Sequence, residues 1–337
     1  ATNGYKVTLI GRSKKGSPPL QLQKFNQRRI SCFFNKGILF YAEFNLRLFI
    51  FLLFKKMNAI CAIDLDTILP CLFISRLKGI KRIYDAHEYF TEMKEVQSRK
   101  KIQKVWLSIE KFAIPQFSHC YTVSDGLAET YNKKYNKAFI SIRNISRLQQ
   151  INSIPEDSEF ILYQGAVNEG RGLEYLIPAM QFVNIPLVIC GDGNFMSGVK
   201  SLITKHSLQE RVVLKGMVMP EALKEITYKA TLGINLTETK GQHHYYALPN
   251  KFFDYIHACV PQITMNLPEY RKVNERFEVA FLIDELNINT IANAINKTLN
   301  NKDLLKHLKN NCLKAREVYN WEQEEKKLIA FYRAIWN

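Results

Sequence analysis

Four short segments of this sequence carry side chains whose types and spacing suit anion binding and polar-ligand chemistry. In the first, Gly165-Ala-Val-Asn-Glu-Gly170-Arg171-Gly172 follows an apolar run, Phe160–Gln164, and opens a helical pattern. A strand, a glycine-rich turn and a helix start present free backbone N–H groups and the positive end of a helix dipole to an anion. Arg171 can add a bidentate grip on a phosphate. The segment comes close to the phosphate loop of nucleotide hydrolases. However, Arg171 stands where that loop needs Lys, and Gly172 where it needs a hydroxyl to ligate Mg²⁺, so phosphoryl transfer is rejected. The G-x-G-x-x-G spacing of a dinucleotide site is also missing. The competing reading is a glycine-rich turn with a surface arginine.

In the second segment, Ala247-Leu-Pro249-Asn250-Lys251-Phe-Phe-Asp254, Pro249 suits a first helical turn, and Asn250 and Lys251 fall among the free N–H groups. A lysine there opposes the helix dipole, which points to an anionic ligand that outweighs the cost. Lys251 and Asp254 are three residues apart and share a helical face, so an ordinary ion pair between them is the alternative. The third segment, Cys190-Gly191-Asp192-Gly193-Asn194, ends an apolar strand and by itself reads as a turn. The fourth, Tyr84-Asp85-Ala86-His87-Glu88, closes another strand, and strand C-termini are where open α/β sheets place ligands. His87 there is either a ligand-facing group or a structural residue. The adjacent His243 and His244 do not suit a metal site and read as loop residues.

These segments need a rigid frame. Strand-like runs are Lys6–Ile10, Arg29–Phe33, Ile60–Asp64, Arg82–Asp85, His119–Val123 and Phe139–Ile142, then Phe160–Gln164, Leu187–Cys190, Val212–Lys215, Leu232–Leu236, Gln262–Met265 and Ala280–Ile283. Amphipathic stretches, among them Ala42–Phe54 and Pro249–Ala258, alternate with them. Several runs are continuously apolar, as in parallel sheets covered on both faces. A polar stretch, Ile145–Glu159, separates the two arrays. The fold class expected is α/β with two facing doubly wound, Rossmann-like domains, residues 1–150 and 151–320, and a closing amphipathic helix, 321–337. The start of the chain reads as a helix end, a turn at Gly4 and a strand, as though an opening strand were missing.

The 337 residues suit two domains. Seven scattered cysteines fit core positions in a reducing compartment. The net charge of +16 is lopsided: residues 1–150 hold 26 Lys and Arg against 10 Asp and Glu, and the rest hold 21 of each. The first half therefore faces something anionic or presents an evenly basic surface. No nucleic-acid module is recognisable, which favours an anionic membrane surface or a phosphate-bearing acceptor over nucleic acid. The longest apolar run, Leu48–Phe54, has seven residues against the ~20 needed to cross a bilayer. Flanked by Arg47, Lys55 and Lys56, it would lie nearest the membrane, unless it is a buried helix.

Tyr84–Glu88, LYQGAVNEGRGLEYLI, VICGDG and LPNKFFDYIHACVPQI, in this order and spacing from Lys6 to Trp336, resemble glycosyltransferase family 4. The resemblance implies the GT-B fold, with acceptor bound by the first domain, nucleotide-sugar donor by the second, and metal-independent catalysis that retains anomeric configuration. No cofactor and no metal are expected beyond a nucleotide-diphosphate sugar and a glycan or lipid-linked acceptor. By the same resemblance Gly165, Gly191, Asp192, Asn250, Lys251 and Asp254 bind donor, Asp254 at the ribose. His87, Arg171 and Lys251 serve catalysis, and Asp85, Glu88 and Asn144 lie on the acceptor side. Ala166 and Tyr246 replace an arginine and a glutamate of the family pattern. The expected role is cell-surface polysaccharide synthesis in the cytoplasm, peripheral at the inner membrane face. An epimerase or hydrolase on the same scaffold, or a non-catalytic membrane-associated paralogue, are the alternatives.

Overall fold

A computed structural model describes residues 1–150, 158–238 and 241–336. The chain divides into two compact units, one of Ala1–Ile142 with Leu328–Asn337 and the other of Arg143–Lys327. The division thus falls before residue 150, and the reason is local. The N–H groups of Arg143 and Leu148 donate to Glu324 and Glu322, both at 2.9 Å, and Trp321 N–H donates to the Ser146 carbonyl at 3.0 Å. These bonds hold Arg143–Leu148 to the second unit. Residues 151–157 of the polar stretch lie outside the described residues, and Ser158 and Glu159 already belong to a strand. The closing helix, Trp321–Trp336, gives its first turns to the second unit and its remainder to the first.

In the first unit the strands are β1 (Thr8–Ser13), β2 (Asn26–Ser31), β3 (Ala59–Ile63), β4 (Lys81–Ala86), β5 (His119–Thr122) and β6 (Phe139–Ser141). They form two parallel sheets, β1-β2 and β3-β4-β5-β6. The helix Gly37–Leu53 connects the pair to the quartet and starts five residues before the expected Ala42.

The second unit has β7 (Ser158–Gln164), β8 (Leu187–Cys190), β9 (Val212–Gly216), β10 (Ala230–Asn235), β11 (Gln262–Met265) and β12 (Ala280–Ile283). They make one parallel sheet in the order β12-β11-β10-β7-β8-β9. Every residue of β10 and β11 is buried, which explains their lack of alternation. Chain order reverses between β7 and β10, so the C-terminal ends of those strands frame the crevice where such sheets bind ligands. The first unit's strands follow this same order, with no strand in the position that β7 fills here. All seven cysteines are unpaired and five are buried, so they act as core side chains.

Candidate functional site

At the end of β7 the chain turns at Gly165, whose φ is +117°, and at the end of β8 it turns at Gly191, whose φ is +146°. The two turns touch. A Cβ on Gly191 would stand 1.8 Å from the Gly165 carbonyl oxygen, so only glycine fits. The loops are then zipped together. Val167 N–H donates to the Asp192 carbonyl (3.0 Å), Asn194 N–H to Asn168 Oδ1 (3.0 Å) and Glu169 N–H to Asn194 Oδ1 (3.2 Å). Asp192 accepts from Gly193 N–H at 2.8 Å, closing its own turn. Gly191 and Asp192, expected on sequence to bind donor, thereby shape the loop that carries Gly165 and Arg171. The weak-looking third segment is the clamp of the first.

Arg171 and Lys251 share one neighbourhood. The Lys251 amine sits 4.4 Å from the centre of the Tyr163 ring, and the Gly165 turn lies beside its aliphatic stem. Burial first, and the positive charge of Arg171 second, push the Lys251 pKa down to about 7. The same Arg171 charge acts on Tyr163 and Tyr270. Among the described residues neither cationic side chain has a hydrogen-bond or ion-pair partner. Two like charges are held together at the ends of parallel strands with nothing anionic to balance them. Tyr163, which the sequence reading missed, is the floor of this arrangement, and its hydroxyl donates to the Ala166 carbonyl at 2.8 Å.

Asp254 does not pair with Lys251. Its carboxylate accepts from Ser146 Oγ at 3.0 Å and from Gln164 Nε2 at 3.2 Å. Gln164 is fixed in turn, its Oε1 accepting from Thr227 Oγ1 at 2.7 Å. Burial raises the Asp254 pKa, with the two hydrogen bonds opposing. A cavity of about 300 Å³ opens here, lined by Asn144, Ser146, Gln164, Lys224, Asn250 and Asp254 among others. That volume reaches the lower end of small-ligand pockets. Asn144, assigned on sequence to the acceptor side, belongs to the second unit, because Arg143 and Ser146 on either side of it are bonded to the Asn320–Glu324 region. Gln164 and Ser146 were also missed. A lone polar residue ending the apolar strand Phe160–Gln164 was the available signal for the first.

In the first unit, β4 ends in Asp85 and His87, and His87 Nε2 lies 3.0 Å from Asp85 Oδ2. Asp64, at the end of β3 with φ of +56°, accepts from the N–H groups of His87 (2.8 Å) and Glu88 (3.0 Å) and so sets the turn. The hydrogen bond from Asp85 raises the His87 pKa against the effect of burial. A folded value above the unfolded one means the pair stabilises the fold fully below the ordinary histidine range. That contribution is lost as pH rises through the raised value. Thermal melts from about pH 5 to 8 should show this slope in the parent chain and a flatter one in Asp85→Asn. His244 lies in a helical turn, Gln242–Tyr245, rather than an open loop. Among the described residues no three or more His, Cys, Asp or Glu side chains are grouped to hold a metal ion.

Parallel sheets with clustered cations at the strand ends define an α/β protein built to hold an anionic ligand. The sequence profile of "Glycosyl transferases group 1" matches residues 144–315, and the chain belongs to that family. An uncharacterized glycosyltransferase of Methanocaldococcus jannaschii is 23% identical over 200 residues, covering 56% of this chain and 50% of that protein. The chain thus spans half the length of this curated relative. Among solved structures, sucrose-phosphate synthase of Thermosynechococcus elongatus superposes with a TM-score of 0.77 at 16% identity, covering 99% of this chain and 90% of that one. Anabaena HepE in complex with UDP and glucose gives 0.71 at 11%, covering 92% and 86%. Staphylococcus aureus TarM in complex with UDP and an acceptor glycoside gives 0.63 at 15%, covering 81% and 55%. The fold class is GT-B.

Proposed function

We propose that this chain is a retaining, metal-independent glycosyltransferase of family 4 that takes its sugar from a nucleoside-diphosphate donor and needs no cofactor. The observation that carries the reading is the pair Arg171 and Lys251, set side by side without an anionic partner at the mouth of the β7–β10 crevice. A diphosphate supplies the missing charge, and bonds from cations to phosphate are the stronger kind. As the bond from the sugar's anomeric carbon to the diphosphate breaks, these preorganised cations stabilise the charge that develops on the leaving group. The acceptor oxygen bonds to the anomeric carbon on the same face, and its proton passes to the departing phosphate.

Asp254 and the cavity beside it suit the donor nucleoside. Two of the carboxylate's roughly four acceptor positions are filled by Ser146 and Gln164, leaving others for ribose hydroxyls. The UDP bound by the Anabaena and Staphylococcus aureus proteins favours uridine as the base. The acceptor is a glycan or a lipid-linked sugar, in line with a role in cell-surface polysaccharide synthesis at the cytoplasmic face of a membrane. On the acceptor side, Asp85 orients His87 and Asp64 fixes the turn that carries His87 and Glu88.

Isothermal calorimetry with UDP, GDP and ADP tests the donor reading. UDP should bind, and Asp254→Asn should weaken it about tenfold or more by removing charge-assisted acceptance. Absence of binding by all three nucleotides would overturn the reading. Unchanged UDP affinity in Asp254→Asn would confine Asp254 to holding Ser146 and Gln164.

A further inference from the structure

The helix Gly37–Leu53 is apolar on two opposite faces, and only one of them is packed. Phe44, Leu48 and Leu52 are spaced four apart and buried. On the far side, Leu39, Leu46 and Ile50 repeat at seven and four residues and are 56%, 60% and 48% exposed. A surface helix ordinarily turns charged residues to that side. The sequence reading put the run Leu48–Phe54 as a whole either at the bilayer or in the core, and the structure divides it. Leu48 and Leu52 face inward, whereas Ile50 and Phe54 face outward.

The stripe is extended and rimmed. Glu43 accepts from the N–H groups of Phe33 and Phe34, both at 2.9 Å, and so fixes these two exposed rings next to the helix. Glu43 also pairs with Arg47 at 2.7 Å, and the Arg47 guanidinium lies 5.0 Å from the centre of the Phe33 ring. At one end stand Lys36, the residue before the helix, and Arg12, which donates to Asn35. At the other stand Lys55 and Lys56, with the Lys78 amine donating to the Lys55 carbonyl at 2.7 Å. The acid on this helix, Glu43, is already engaged, so the rim is net positive. No helix among the described residues is long and apolar enough to cross a membrane.

We propose that the outer face of the Gly37–Leu53 helix, with Phe33, Phe34 and Phe54, lies flat on an anionic lipid surface. The apolar stripe enters the interface and the rim of Lys36, Lys55, Lys56 and Lys78 contacts the headgroups. An apolar face with basic edges is the chemistry of interfacial helices. Each basic group near such a surface adds severalfold to binding. The surface belongs wholly to the first unit and does not depend on the donor reading.

The test is co-sedimentation of the full chain with phosphatidylcholine vesicles, with and without phosphatidylglycerol, at low and high salt. Binding should require phosphatidylglycerol and fall with salt. Lys55→Glu with Lys56→Glu should weaken it about tenfold or more, and Leu46→Glu with Ile50→Glu should abolish it. The latter pair is exposed, so both variants should melt as the parent does, and their UDP binding reports separately on the second unit. Equal binding to both vesicle types, or to neither, overturns the proposal. So does a salt-independent dimer, seen by analytical ultracentrifugation and lost in Leu46→Glu with Ile50→Glu, which would assign the face to a second copy.

Discussion

Replacing Lys251 with alanine or methionine should lower UDP affinity ten- to hundredfold, the ~1.5–3 kcal/mol of a charged hydrogen bond. Arg171→Ala should cost a similar amount, and the double variant less than the sum, because each cation raises the energy of the other. Lys251 adds a pH signature that a structural residue would not give. Its pKa in the empty site is pushed down to about 7, so above that pH the amine is largely neutral. A bound diphosphate favours the charged form, and binding must then take up a proton. Affinity should fall by up to about tenfold per pH unit above pH 7. Calorimetry in two buffers of different ionisation heat should find close to one proton taken up per UDP at about pH 8, and none in Lys251→Met. The empty protein should respond in the opposite sense. With the folded pKa below the unfolded one, its stability rises as pH climbs from about 7 toward the ordinary lysine value. Lys251→Met removes that slope and should leave the empty protein at least as stable at neutral pH. A variant that loses UDP binding and also melts early would mean that Lys251 supports the fold.

Gly191→Ala should be the most damaging single-methyl change in the second unit. The new Cβ meets the Gly165 carbonyl oxygen at 1.8 Å, and the backbone φ of +146° is strained for any L side chain. Relief requires the β7 and β8 turns to separate, breaking the bonds from Val167 to Asp192 and from Asn194 to Asn168. Strain and overpacking together place the loss at about 3 kcal/mol or more, a fall in Tm of roughly 6–12 °C for a unit of this size. UDP binding should weaken as well, since Gly165 and Arg171 ride on the displaced loop. Gly216→Ala is the control. It too has positive φ, at +65°, but its added Cβ meets nothing within 4 Å, so it should cost less. Equal melting of the two variants would show that the contact between turns contributes nothing beyond strain.

Signals confined to a few neighbouring residues were fully legible in the sequence. Leu187–Cys190, Gln262–Met265 and Ala280–Ile283 were placed to the residue, because apolar runs bounded by Gly, Pro or polar groups report local backbone preference and burial together. The segments around Gly165 and Pro249 were recognisable for the same reason, as turn and helix-start chemistry. The tertiary structure alone decided which side chains those segments would meet. Asp254 looked like the helical partner of Lys251 three residues away. It bonds instead to Ser146 and Gln164, 108 and 90 residues distant, because burying the helix's Phe252, Phe253, Tyr255 and Ile256 turns Asp254 toward them. The helix 37–53 was apolar on every face in sequence. Only packing could choose Phe44, Leu48 and Leu52 for the core and leave Leu46 and Ile50 outside. Local pattern fixes which residues form an element. The direction in which a side chain points, and the charge it feels when it gets there, are set by contacts between segments far apart along the chain.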